Sequence, residues 1–397
     1  MKKLFAALFL IFCLTTLAGC QGGEKFPAGK LLFFDTFQSD SVLYWKISQK
    51  YEEPAKPIIS NSWAYHEPVL SPDGKTVILV KINPVKRDQI SLFVYDLDKP
   101  GIIQVIPVPE EVINTVSAPI YNILVRWSKD GKNLYFLENN VTKYEGAFGP
   151  GTKFALYTLD LESQKFNLKK EFQLPGSLTR IDLEDAFSPD FSKVLFQAYD
   201  SKKDNPDPPV IVDTATGTSQ KIEWSIDYPE YPNWTPDGKN ITYWDLDSWK
   251  DKICLMAINP SNGTQKTPLY CIDSKLGWSY FSAYSIKWSP SEKYLAFFYD
   301  NSVEEQNTGL VILDVHDLFK PKVSALLPNL GIFVSYSIWS PDSKWLAFFA
   351  SPSEEPGFYA INTDGSRMFL LYTNPDWKDL YHATGGACDT SLLSWIN

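Results

Sequence analysis

The chain has 397 residues, 44% of them hydrophobic and 15% aromatic, and a formal net charge of -10. An acidic balance of this size argues against nucleic acid and against an anionic membrane surface as the main partner. Short β-prone runs broken by 28 prolines and 21 glycines, with no amphipathic helix beyond the first twenty residues, give an all-β class.

The first twenty residues, MKKLFAALFLIFCLTTLAGC, read as processing information. Lys2 and Lys3 precede an unbroken apolar run from Leu4 to Leu14, too short for a normal span of about 20 residues. Ala18 and Gly19 then lead into Cys20 and the linker-like QGGEKFPAGK. The stretch resembles the bacterial lipoprotein signal, which implies cleavage before Cys20 and lipidation of it. An ordinary secretory peptide cut nearby is the alternative. More than one acyl chain on Cys20 suffices for stable anchoring, and this lipid would be the only membrane attachment. In the family's sorting pattern Gln21, which is not Asp, favours the outer membrane, facing the periplasm or the cell surface in a Gram-negative host. The expected organisation is a signal over 1–19, a lipidated cysteine and short linker over 20–29, and a single domain over 30–397.

Residues 30–60 give three strand-like runs, GKLLFFDT, SVLYWKIS and AKPIIS. Then one signature recurs six times, as VLSPDGKTVILV, RWSKDGKNLYFL, AFSPDFSKVLFQ, NWTPDGKNITYW, KWSPSEKYLAFF and IWSPDSKWLAFF. Its anchors are Ser71, Ser128, Ser188, Thr235, Ser289 and Ser340. In each, an apolar strand enters a tight turn whose proline and Asp set the reversal, and a second β-branched or aromatic strand leaves it. A third strand ending in a polar turn follows most of them, as in SLFVYDLDKP and GLVILDVHD, and a short fourth closes the unit, as in TPLYCI. Four antiparallel strands repeated in this way are a propeller blade. Asp73, Asp130, Asp190, Asp237 and Asp342 read as turn formers, and Trp127, Trp234, Trp288, Trp339 and Trp395 as packing between blades.

These signatures resemble the WD40-like (PD40) repeat of the TolB propeller and its relatives, over essentially all of the chain after the signal. The α/β domain that precedes the propeller in TolB has no counterpart here. The related functions implied are transport accessories, the non-catalytic propellers of prolyl peptidases, and polysaccharide lyases.

Residues 30–60 supply second, third and fourth strands without a first. The missing half-signature stands at the other end, as TSLLSWIN, with PAGK completing its turn. The expected fold is therefore a seven-bladed β-propeller of four-stranded antiparallel blades, with strands from both ends sharing one blade. Six blades, with 30–60 as an embellishment, is the alternative.

Cys254 and Cys271 are placed symmetrically about Asn262-Gly263, a strong hairpin signal. They read as opposite one another, either as a cross-strand disulfide or as two neighbouring thiols. Cys388 is left over. No cysteine or histidine spacing indicates a structural zinc site. No cofactor is expected, with a divalent cation left open.

The residues just before each innermost strand line one mouth of a propeller channel. Here they are Tyr65, His66, Glu67, Glu184, Asp185, Tyr228, Glu230, Tyr231, Tyr284 and Tyr336, with His382 from the shared blade. Tyrosines offer rigid contact area with a hydroxyl handle, and carboxylates can receive a cationic group, a sugar hydroxyl or a divalent ion. No G-x-S-x-G elbow accompanies them. The main expectation is a monomeric envelope lipoprotein, not an enzyme, that binds or scaffolds a protein, peptide or glycan. The alternative is a polysaccharide lyase-like or other propeller enzyme with a site near His66 and His382.

Overall fold

The signature turn builds the fold by one set of bonds. The Ser71 hydroxyl donates to Asp73 Oδ1 (2.6 Å) and accepts the Thr76 N–H (2.9 Å), while the Lys75 N–H donates to the same Asp73 oxygen (3.1 Å). The chain reverses within five residues, and two strands leave in register. The bonds recur at Ser128 with Asp130, Ser188 with Asp190, Thr235 with Asp237 and Ser340 with Asp342. In KWSPSEK, Ser291 stands where the others have Asp and meets Ser289 Oγ at 3.2 Å. Each turn needs a left-handed residue at one place. Gly74, Gly131 and Gly238 take it freely, whereas Phe191, Glu292 and Ser343 hold it at φ of 57°, 60° and 59°.

The structure is a computed structural model. It describes residues 29–35, 42–47, 56–59, 69–82, 89–99, 102–110, 112, 123–128, 130–140, 153–173, 186–196, 209–224, 230–245, 252–261, 266–273, 286–299, 309–328, 330, 334–350, 356–373 and 390–396. The signal, Cys20 and Cys388 lie outside them.

Three strands near the N-terminus, β1 (Lys30–Asp35), β2 (Val42–Ile47) and β3 (Lys56–Ile59), share a sheet with the last strand. The next sheet is β4 (Val69–Leu70), β5 (Thr76–Ile82), β6 (Ile90–Asp96) and β7 (Ile102–Pro107). It is followed by β8 (Ile123–Trp127), β9 (Leu134–Asn140), β10 (Lys153–Asp160) and β11 (Lys165–Gln173). Then come β12 (Lys193–Phe196), β13 (Val210–Asp213) and β14 (Ser219–Lys221). The sheet after these has β15 (Glu230–Trp234), β16 (Ile241–Asp245), β17 (Lys252–Ile258) and β18 (Lys266–Asp273). Another has β19 (Lys287–Trp288), β20 (Tyr294–Tyr299), β21 (Gly309–Asp314) and β22 (Lys322–Leu327). Finally come β23 (Val334–Trp339), β24 (Trp345–Ala350), β25 (Gly357–Asn362) and β26 (Met368–Tyr372), and then β27 (Thr390–Ile396), which pairs antiparallel with β1.

The expectation of seven four-stranded blades is corrected by this topology. Six sheets are four-stranded antiparallel blades, and the propeller has six blades of that kind among the described residues. The sheet β12-β13-β14 has three strands, and a single bridge, Phe187 to Val194, stands where its first strand was expected. Six complete blades is the count of the alternative, although the incomplete sector lies elsewhere than it supposed. β1, β2 and β3 are strands of a complete blade, with Trp395 of β27 buried against Leu31 and Phe33 of β1.

Each sheet buries both faces against its neighbours, which is why the middle strands are continuous apolar runs. Ile241–Asp245 is buried throughout, and so is Leu346–Ala350. Ile78, Val80 and Leu92 pack with Val125, Leu134 and Phe136 across one seam. Trp244 and Leu255 meet Phe297 and Leu313 across another. Leu32 meets Val77 and Leu79, so the packing continues past β1 and the ring is closed. First strands lie against one another, β4 by β8 and by β27, and β19 and β27 by β23, which makes them the inner strands. Last strands form the exposed rim, as in Ser219–Lys221.

Of the two states left open for Cys254 and Cys271, the disulfide is present, with the two residues directly opposed on β17 and β18. A bulge between Leu255 and Met256 shifts the register by one and brings them level. The bond closes a loop with a sequence separation of 17. Replacing both cysteines by serine is expected to cost about 3 kcal/mol, the chain-entropy value for a loop of this length. The denaturant midpoint measures this, and an unchanged midpoint would show that the bond does not form.

Candidate functional site

The expected mouth is the end of the ring where the inner strands begin, opposite the signature turns. Tyr65, His66, Glu67, Glu184, Asp185, Tyr228, Tyr284 and His382 lie outside the described residues. Glu230 and Tyr231 open β15, and Tyr336 lies in β23. Their backbones share an irregularity. In β15 the register jumps between Glu230 and Asn233, so Tyr231 and Pro232 together oppose Tyr243. In β23 Ser335 and Ser337 pair with consecutive residues, Phe349 and Phe348, leaving Tyr336 as the extra residue. β27 has the same feature at Leu393, between partners of Leu32 and Phe33. Bulges of this kind turn a strand locally and are common beside ligand sites.

Reasoning from sequence missed one carboxylate at this end. Asp245 closes β16 and is 5% exposed, and Glu230 is registered opposite its neighbour Trp244. Two acidic residues therefore start and end adjacent strands. The signal was present as an acid ending the apolar run ITYW, but alternation gave no reason to distinguish it from a solvated strand end.

Of the three histidines, His316 is described. It follows β21 at the turn end of its blade, where its Nδ1 lies 2.6 Å from Asp314 Oδ1 and its ring meets Tyr294 edge-on. Among the described residues, no group of three or more His, Cys, Asp or Glu could hold a metal ion.

The turn end carries the depressed aspartates, whereas at Tyr299, which closes β20 at the opposite end, burial raises the phenol. Hydrogen bonds from Ser71 and from the Lys75 amide hold the Asp73 carboxyl below its ordinary value, and Ser128 with the Lys132 amide does the same for Asp130. At Asp160 the Ser163 and Glu162 amides lower it. For Asp190, Asp237 and Asp342 burial pushes upward, and the combined hydrogen bonds to the turn outweigh it. The tryptophans beside these turns behave as inter-blade packing. Trp234 and Trp339 are buried, and their indole N–H groups donate to the Ala186 and Lys287 carbonyls of the preceding sheets, at 3.1 and 3.0 Å.

No protein-family model matches the chain, and no curated protein does. Solved structures resemble it at low identity. TolB from Acinetobacter baumannii is 17% identical over 76% of this chain and 65% of that chain, with a TM-score of 0.41. Oligogalacturonate lyase in complex with manganese is 14% identical over 88% of this chain and 86% of that chain, with a TM-score of 0.50. The periplasmic gluconolactonase of Pseudomonas aeruginosa is 12% identical over 92% of this chain and 99% of that chain, also with a TM-score of 0.50. The chain spans somewhat less than two thirds of the TolB length. These likenesses show a β-propeller fold. The expectation that the chain is not an enzyme is corrected to this extent: a lyase and a lactonase share the fold, so the fold gives no ground against catalysis. The missing G-x-S-x-G elbow argued only against an added hydrolase domain, not against a site on the loops of the ring.

The depressed aspartates fix the acid limit of stability. Each titrates lower in the folded chain than in the unfolded one, so its contribution is complete above the ordinary aspartate pKa of about 4. It is lost as pH falls through the lower folded values. The melting temperature is expected to be level from about pH 7 to about pH 5 and to drop below about pH 4. A melting temperature that holds or rises under acid would contradict this reading of the turns.

Proposed function

We propose that this chain is an exported propeller enzyme acting on a carbohydrate-derived substrate bound where the inner strands begin. The observation that carries the reading is the start of β15. There a bulge at Tyr231 and Pro232 lies beside Glu230, and the buried Asp245 ends the adjoining strand. A carboxylate in such a place can act as general base or acid, typically worth about 10²–10⁴ in rate. Tyr65, Tyr228, Tyr231, Tyr284 and Tyr336 would give the substrate contact area, and His66, Glu67 and His382 a second titratable set across the mouth. Glu184 and Asp185 would complete an acidic rim. The substrate class draws on the lyase and the lactonase, both named for sugar-acid chemistry. A divalent ion, if one is used, would be held near His66, Glu67 and His382, and no step is routed through it.

The same reading places the chain in the cell envelope, held by lipid on Cys20. The signal pattern supports this, as does the Cys254–Cys271 disulfide, a bond that persists in oxidising compartments.

The test is turnover of two substrate classes by the wild-type chain, with and without manganese. Oligogalacturonate is followed by the absorbance of its unsaturated product, and a sugar δ-lactone by proton release. One class is expected to turn over, with a loss of about 100-fold or more in Asp245→Asn, Glu230→Gln or His66→Ala. No turnover of either class, or less than a tenfold loss in all three variants, would overturn the proposal.

A further inference from the structure

A cleft lies at the other end of the ring, on different residues. It stands between the sheets β4–β7 and β8–β11, at the turn end, and has a volume of about 590 Å³. Both its edges are built. On one, Pro72 packs over Gly131, where an added Cβ would stand 3.6 Å from the proline Cδ. Across the same seam, Gln104 of β7 donates its side-chain amide to the Leu161 carbonyl beyond β10, at 2.9 Å. The indole of Trp127, partly exposed, contributes to the lining.

Trp127 departs from its equivalents. Trp234 and Trp339 donate to a carbonyl of the preceding sheet and draw their seams shut. The Trp127 N–H has no such partner among the described residues. Trp288 lacks one too, so the missing bond alone does not make a cleft. What sets the Trp127 seam apart is the open volume together with its charge.

Four carboxylates, Asp73, Asp130, Asp160 and Glu162, line the cleft against one cation, Lys132. Three of the four are held in the ionised form by their turns. The turn bonds of Asp73 and Asp130 fall on Oδ1, which leaves Oδ2 for another partner. Elsewhere the turn lysine occupies that oxygen. Lys239 reaches Asp237 Oδ2 and Lys344 reaches Asp342 Oδ2, each at 3.4 Å. No such pair forms at Asp73 or Asp130 among the described residues. The cleft thus combines an aromatic wall with the Asp73 and Asp130 carboxylates, whose outer oxygens are uncommitted.

We infer that this cleft receives a basic peptide segment, with an arginine side chain over Trp127 and its guanidinium shared among Asp73, Asp130 and Asp160. Arginine fits better than lysine, because a planar guanidinium can lie on an indole face and bond carboxylates in a fork at once. An acidic sugar or peptide is excluded by the charge of the lining. A neutral ligand would make no use of the net negative charge of the lining.

The test uses the peptide Arg-Gly-Arg-Gly-Arg, titrated calorimetrically into the mature full chain at low and at moderate salt. Binding is expected, weaker at higher salt because the charges are at the surface, and absent for Glu-Gly-Glu-Gly-Glu. Asp130→Asn combined with Glu162→Gln is expected to weaken it about tenfold or more, on the order of the loss of two charge-assisted contacts. Asparagine keeps the Oδ1 acceptor, so the turn survives, and the melting temperature verifies this. Should that double variant melt early, Glu162→Gln alone decides, since its side chain makes no turn bond. Asp364→Asn, at a turn of the last four-stranded blade, is expected to leave binding unchanged. Three results would each overturn the inference. They are no binding of the arginine peptide at low salt, wild-type binding by the decisive cleft variant, and an equal loss in Asp364→Asn, which would reduce the effect to general charge.

Discussion

No sheet in this molecule can be stable by itself, because every one of them is apolar on both faces. Four short strands such as β19–β22 have Leu295, Phe297, Val311 and Leu313 on one side and Ala296, Phe298, Leu310 and Ile312 on the other. At roughly 25 cal/mol per Å² of apolar surface, exposing either face would cost more than a domain's whole net stability. The sheets must therefore stand face to face, and the only arrangement that leaves no face over is a ring. Closure then falls to the seam where β1 meets β27 and where Leu31, Phe33 and Trp395 pack on Phe349 and Phe358. Hydrogen bonds and packing do here what a covalent link would otherwise do.

That constraint divides the molecule by role. The faces are committed to seams and the outer strands to solvent, so chemistry is confined to the two ends. At one end the signature turns use their aspartates for structure first, and only an outer carboxylate oxygen is free to do more. At the other end the inner strands begin with bulges at Tyr231, Tyr336 and Leu393, which break the strict alternation of the backbone register. The two proposed sites are accordingly independent: one uses strand starts, the other a cleft at the turn end of one seam.

Much of this was legible because the information is local. Ser-Pro-Asp-Gly fixes a turn within five residues, and Asp73, Asp130 and Asp342 are used as the motif implies. The split signature brought TSLLSWIN to β1, and the symmetry about Asn262-Gly263 brought Cys254 to Cys271 in spite of an intervening bulge. Where the reading failed, the cause is packing between sheets. AFSPDFSK carries the same turn as its neighbours, yet Phe187 contributes one bridge and the sheet has three strands. Trp127 packs between sheets as its motif position implies, yet nothing in the motif marked the cleft that it also lines. Asp245 lies inside a run that reads as plain strand, and only its burial marks it.

The central claim is that the pairing of the two chain ends closes the ring and holds it as one cooperative unit. Native-state hydrogen exchange reads this directly at the amides of Leu31, Leu32 and Phe33 in β1 and of Leu392, Ser394 and Trp395 in β27. The account requires both sets to share one opening free energy, equal to that of the buried strand β24, because releasing β27 exposes faces the rest of the ring depends on. Rapid exchange in β27 while β1 and β24 stay protected would contradict it, and would make the last strand an accessory to a ring that closes without it.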